Sequence, residues 1–127
     1  MIFQHTWQKV LSGQKTQTRR LARDTDKLWT LQIDDRDIEK VLWRGDRPKW
    51  RTGRSYAVQP GRGQKAIARI ILLDIRYELV GHISEEEARA EGFSGLEEFL
   101  EVWQKIHKVY DLEQPVWVLE FRLKEKR

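Results

Sequence analysis

The sequence predicts an α+β fold, or a small barrel with helices at one end. Three observations predict it. Residues 65–79 form the longest strand signal, apolar on both faces at first and alternating towards the end. Two Ser-x-x-Glu patterns, at Ser84 and Ser94, each mark a helix start. The elements run helix, strands, two helices, strand, without the strand–helix alternation of a parallel sheet. A strand as long as 65–79 is expected to bend, as in a small barrel. At 127 residues, one domain over 1–127 is expected, large enough to bury a core.

Taken in order, residues 6–12 read as a short helix. Thr6 caps it, Trp7, Val10 and Leu11 form its apolar face, and Gly13 supplies a left-handed stop. Residues 15–21 read as a strand, with Thr16, Thr18 and Arg20 on one side and Lys15, Gln17, Arg19 and Leu21 on the other. Residues 22–54 read as an elaborated loop region, irregular in part. They mix Asp24, Asp26, Asp34, Asp35 and Asp37 with Trp29, Trp43 and Trp50. A strand at 27–33 and a short helix at 35–42 are the regular pieces this stretch allows. Residues 54–59 form a short strand, and Pro60-Gly61-Arg62-Gly63 a turn.

In the long strand, Ile75, Tyr77 and Leu79 point inward and Arg76 and Glu78 outward. The helix after Ser84 runs to about residue 91 and is stopped by Gly92. The helix after Ser94 places Leu96, Phe99, Leu100, Trp103 and Ile106 on one face, which reads as core. Pro115 precedes a last strand at 116–123, with Trp117, Leu119, Phe121 and Leu123 on one face. The tail Lys124-Glu125-Lys126-Arg127 reads as frayed.

Composition narrows the function. There is no cysteine, which excludes disulfides, thiolate metal sites and cysteine catalysis. His5, His82 and His107 lack the spacing of a zinc site. Gln59-Pro60-Gly61-Arg62-Gly63 is not a P-loop, since it lacks GK[ST] and a following helix. No metal or cofactor is expected. The N-terminal apolar run is too short for a signal peptide, and no apolar stretch approaches a membrane span, so a cytoplasmic protein is expected. The 35% charged residues and the lack of Asn and Cys lean towards a thermophile. Net charge is +4, but residues 1–69 hold 16 Lys/Arg against 7 Asp/Glu, whereas residues 70–127 hold 8 against 13. That division suggests one face that attracts polyanions.

The candidate chemistry centres on Gly13-Gln14-Lys15-Thr16-Gln17-Thr18-Arg19-Arg20. A threonine hydroxyl is a weak nucleophile until a base takes its proton, and a lysine is such a base only when its pKa falls. Alternation would aim Lys15 and Thr18 at opposite faces, so a bulge or twist is needed to join them. Glu91, a carboxylate at a helix C-terminus, is mildly disfavoured by the dipole, and misplacement of this kind can mark function. Arg44, Arg47, Lys49, Trp50, Arg51, Arg54, Tyr56, Arg62 and Lys65 interleave cations with rings, as phosphates and unstacked bases would want. Trp29 and Trp43 read as structural. The alternative for every cation is a solvated surface.

The opening motif resembles the signature of the ASCH domain, a member of the PUA-like superfamily. Tyr56-Ala57-Val58-Gln59-Pro60-Gly61, Ala88-Arg89-Ala90-Glu91-Gly92-Phe93 and Pro115-Val116-Trp117-Val118-Leu119-Glu120-Phe121 agree in order. The resemblance implies a PUA-like small mixed β-barrel flanked by short helices, with a cleft where the first motif meets the helix ending in Glu91. It implies an RNA- or nucleic-acid-binding domain, with Arg19, Arg20, Trp50, Arg51, Arg54, Tyr56, Arg62 and Lys65 as the binding residues and RNA or a modified nucleoside as partner. One ASCH branch removes the acetyl group from acetylated cytidine. Its lysine, threonine and glutamate match Lys15, Thr18 and Glu91, which are then the expected catalytic residues. Another branch is similar to a metal-assisted ribonuclease. The stretch at 22–54 departs from the shorter amidohydrolase branch.

Overall fold

The outermost strand of the main sheet, β1 (Gln17–Leu21), follows helix α1 (Trp7–Leu11) and carries the motif of interest. The other elements are β2 (Asp26–Gln32), β3 (Ile38–Arg44), β4 (Arg47–Arg51), β5 (Ser55–Val58), β6 (Ala68–Leu79), α2 (Glu85–Ala90), α3 (Leu96–His107) and β7 (Pro115–Lys126). The structure is a computed structural model that describes residues 1–32, 34–35, 38–108 and 111–126. Ile33 and Asp37, which fall in the expected strand at 27–33 and helix at 35–42, lie outside the described residues, as does Arg127.

The architecture is α+β with two antiparallel sheets. The first has the order β1-β7-β6-β5 and the second β2-β3-β4. No ladder joins their edges among the described residues, so the expected barrel is met as two open sheets packed together. The central strand β7 is buried on both faces, with Val116, Trp117, Val118 and Leu119 all in the core. Val116 and Val118 pack with Ala88, Phe99 and Trp103 from the helices. Trp117 and Leu119 pack with Leu42 and Trp50 from the second sheet. The molecule is therefore three layers deep: helices, main sheet, small sheet. Burying each such side chain contributes roughly 1.5–3 kcal/mol before entropy costs.

The largest correction concerns residues 22–54. The strand expected at 27–33 is met by β2, but β3 lies where the helix at 35–42 was expected, and β2, β3 and β4 make a three-stranded meander in place of a largely irregular loop. Its β3–β4 turn is the two-residue loop Gly45-Asp46 between paired Arg44 and Arg47, with Gly45 at φ +64°. Glycine at the first loop position suits the turn types that match strand twist. The small sheet is tied to β6 by Lys40–Asp74 at 2.8 Å, Lys40 Nζ donating to the Ile75 carbonyl at 3.2 Å, and the Gly53 N–H donating to Leu72 at 2.8 Å. β6 bends as expected, with register shifts against β7 at Arg69/Ile70 and Leu72/Asp74.

Other details differ. Thr6 sits at the α1 N-cap but makes no side-chain cap bond. Ser84 forms the expected capping box with Glu87. Ser94 does not cap α3: its N-cap is Gly95, and the free Leu96 N–H donates to the Glu85 carboxylate at 3.1 Å. Tyr77 is exposed, not inward, its ring edge-on to Trp117. Trp29 and Ile106 are exposed as well, against the structural and core roles expected of them. Lys124, Glu125 and Lys126 continue β7, because Ala68 and Arg69 extend β6 far enough to pair with Lys126 and Glu125. No helix among the described residues is long and apolar enough to cross a membrane.

Candidate functional site

Gly13, at φ +81°, ends α1 and turns the chain towards β1. Residues 14–16 are irregular, so Lys15 escapes the strand alternation that would have separated it from Thr18. Two backbone bonds fix this corner: Lys15 N–H to Lys9 at 2.9 Å and Thr16 N–H to Ala90 at 2.8 Å. The second lays β1's approach against the end of α2, where Glu91 is the C-cap. Gly92 then leaves at φ +99°, a conformation glycine adopts without strain.

A buried ionic cluster results. Lys15 Nζ donates to the Glu91 carbonyl at 2.6 Å and to Glu91 Oε1 at 3.3 Å. Arg19 donates from Nη1 to Glu91 Oε2 at 3.0 Å, and from Nη2 to Glu87 at 2.8 Å and Glu78 at 3.2 Å. Glu87 also meets Arg76, which pairs with Glu120. The amine on the Glu91 carbonyl places a cation where the α2 dipole is negative, which offsets the unfavourable position of the Glu91 carboxylate. Thr18 is buried, and its Oγ1 accepts from Arg20 Nε at 3.3 Å. Arg20 is held in turn by the Ile2 carbonyl at 2.8 Å and lies over the Phe3 ring. Arg19 Nε is buried without a hydrogen-bond partner among the described residues.

Burial pushes the Lys15 ammonium below the ordinary lysine value. Glu91 opposes this through charge and hydrogen bond, and Arg20 and Arg19 push it further down. Burial dominates because the amine has only 4% of its side chain exposed. Lowered pKa, enclosure and a specific partner together make Lys15 a functional-site candidate.

Lys15, Thr18 and Glu91 line one cavity of about 570 Å³. Phe93, Trp103 and Trp50 give it apolar walls, and Arg23, Arg44 and Lys49 lie at its mouth. Phe99 and Trp103 are core, as expected, but also border this cavity. Asp26, which the sequence did not single out, holds Arg44 through bonds of 2.8 and 3.1 Å, accepts from Trp117 Nε1 at 2.8 Å and from the Arg23 N–H at 2.9 Å. Burial pushes its carboxyl up, but these donors outweigh burial and hold it at about 2.

The expected binding residues are dispersed. Arg19, Arg20 and Trp50 line the cavity with the catalytic candidates. Arg19 is a correction: its guanidinium is fully buried and taken up by three carboxylates, so it is not presented to phosphate. Arg51 and Arg54 border a separate depression of about 440 Å³, where Arg51 pairs with Glu39. Tyr56 is half-buried, its hydroxyl accepting from the Arg51 N–H at 2.7 Å. Arg62 and Lys65 are exposed beside the Gly63 turn and border neither depression. Among the described residues, no group of three or more His, Asp or Glu side chains is placed to hold a metal ion.

No family model matches the chain, and no curated protein matches it in sequence. Solved structures do match in fold. A DUF984 protein from Enterococcus faecalis V583 superposes with a TM-score of 0.63 at 18% identity, covering 95% of this chain and 71% of that one. The ASCH domain from Lactobacillus crispatus JV V101 superposes with a TM-score of 0.61 at 15% identity, covering 94% of this chain and 70% of that one. The fold of this chain is therefore ASCH-like.

Proposed function

We propose that the cavity is the active site of an amidohydrolase that removes the acyl group from an acylated cytidine. The observation that carries this reading is that Lys15, Thr18 and Glu91 border one cavity, with the Lys15 amine depressed by burial. Apolar walls of Phe93, Trp103 and Trp50 suit a planar base. Neutral Lys15 takes the proton of Thr18, and Oγ1 forms a bond to the acyl carbon. Arg20 Nε, already donating to that oxygen, steadies its developing charge. The carbon–nitrogen bond then breaks, and the Lys15 proton passes to the leaving amine, with Glu91 in hydrogen-bond contact along the way. Water attacks the acyl-threonine ester, giving up a proton to Lys15, and the carboxylic acid leaves as Thr18 is restored.

Chromatography of acetylated cytidine incubated with wild type, Lys15→Ala and Thr18→Ala tests this. Turnover by wild type alone is expected, rising with pH as Lys15 loses its proton. Equal, near-zero turnover in all three sinks the reading. A second reading, a nucleic-acid-binding domain, is favoured by the excess of cations in residues 1–69. It predicts RNA binding at ~50 mM salt that weakens steeply as salt rises.

A further inference from the structure

We propose that the cavity takes its substrate as a nucleotide, with a phosphate monoester held at the mouth by Lys49 and Arg23. This rests on the reading of the cavity as a nucleobase site. Among the described residues, Lys15, Arg19, Arg20, Arg23, Arg44 and Lys49 border the cavity, against the single carboxylate of Glu91. Four of these cations are already engaged. Lys15 and Arg19 hold Glu91, Arg44 holds Asp26, and Arg20 holds the Ile2 carbonyl. Lys49 and Arg23 are exposed and form no ion pair among the described residues.

The placement of Lys49 has a structural cause. The β3–β4 register shifts so that Trp50 pairs with Leu42 and Pro48 with Trp43, leaving Lys49 as the extra residue of a bulge. Strict alternation would send neighbours to opposite faces, yet Lys49 and Trp50 both border the cavity. Bulges re-aim side chains in this way beside functional sites. Trp50 anchors the result, with Lys49 Nζ 5.6 Å and the Arg44 guanidinium 5.4 Å from its ring centroid. A nucleoside has no charge to answer two unpaired cations at the rim. A phosphate monoester carries about −1.5 to −2 near neutral pH and three acceptor oxygens. The small sheet, which falls in the stretch where the sequence departs from the shorter branch it resembles, thus supplies the specificity element.

The test compares acetylated cytidine, its 5′- and 3′-monophosphates, and the same residue within a short oligonucleotide. Both hydrolysis and binding, by tryptophan fluorescence, are read. One monophosphate is expected to show kcat/KM or affinity about tenfold or more above the nucleoside, as charge-assisted hydrogen bonds give. That ratio should shrink with salt. Lys49→Ala and Arg23→Ala should lower it towards one, whereas Arg122→Ala, exposed on β7 and away from the cavity, should leave it intact. Equal values for nucleoside and monophosphates overturn the proposal, and so does an oligonucleotide preferred over both monophosphates. Phosphate-dependent binding without hydrolysis supports the phosphate site while removing the amidohydrolase reading, so the two failures are separable.

Discussion

Replacing Asp26 by Asn tests the link between the small sheet and the main one. The Asp26 side chain is 1% exposed and accepts from Arg44, the Arg23 N–H and Trp117 Nε1. Its carboxyl falls from 3.8 to about 2 on folding. The folded value lies below the unfolded one, so its stabilisation is fully present above about pH 4 and is lost as pH falls through about 2. The shift corresponds to about 2 kcal/mol at pH 7. Asn keeps one acceptor but turns an amide N–H₂ towards the Arg44 donors, so Asp26→Asn should forfeit most of that energy. For a chain of this size the loss is a fall of about 7 °C in Tm. Urea unfolding followed by tryptophan fluorescence reads it directly. The expected penalty is about 2 kcal/mol at pH 7 and about 1 kcal/mol at pH 3, because the wild-type carboxyl is then losing its own advantage. A penalty below about 0.5 kcal/mol at pH 7, or one of equal size at both pH values, would refute the linkage.

Three further outcomes are expected. Lys15→Met should abolish turnover while leaving the fold at least as stable as wild type near pH 7, because Arg19 still neutralises Glu91 and a buried charge is removed. The folded Lys15 pKa lies below 10.5, so wild-type stability should rise with pH up to about 10.5 and the advantage of the Met variant should shrink, as urea midpoints would show. Ser84→Ala should cost about 1 kcal/mol through its capping box, whereas Ser94→Ala should cost less than half of that, since Ser94 caps nothing; paired thermal melts distinguish them. Gly92→Ala should cost about 1–2 kcal/mol, because φ +99° strains any side chain and its Cβ would stand 3.4 Å from those of Lys15 and Lys9. A neutral result in chemical denaturation would contradict it.

Much of the fold was legible because its signals are local. The alternation at Trp117, Leu119 and Phe121, the Ser84 box and the Gly13 and Gly92 stops each depend on a few adjacent residues. The strand at 27–33 was legible as β2, but β3 and β4 were missed although they carried a signal, the two-residue Gly45-Asp46 loop between them. The acidic and basic residues around it disguised the period, since Asp26 holds Arg44 within the small sheet and Trp117 across to the main one, and Lys40 ties the small sheet to Asp74. Lys15, Thr18 and Glu91 were legible by motif, but their meeting was not. It depends on residues 14–16 leaving the strand and on a backbone bond to Ala90, 74 positions away in the chain. Lys49 was named among the interleaved cations, but its place beside Trp50 at the cavity was hidden for a related reason: a bulge breaks the alternation from which facing is inferred. Arg19 was misread because nothing local shows that Glu78, Glu87 and Glu91 converge on it.

That convergence explains how, under the proposed mechanism, Glu91 would serve Lys15 without disabling it as a base. A buried carboxylate facing Lys15 alone would hold the ammonium charged and make it useless as a base. Arg19 occupies the other oxygen of Glu91 and brings a positive charge close to the amine. The carboxylate's field is thereby shared, burial prevails, and the amine gives up its proton more readily than an ordinary lysine while its hydrogen bonds still fix its position. Glu87 and Glu78 prevent Arg19 from becoming an uncompensated buried charge, and Arg76 and Glu120 carry the balance outward. On this account the network beneath the cavity sets the protonation of the one group at its floor. Glu87→Gln, which leaves Arg19 less compensated beside the amine, should then lower the pH at which turnover appears in a pH–rate profile, with the fold retained.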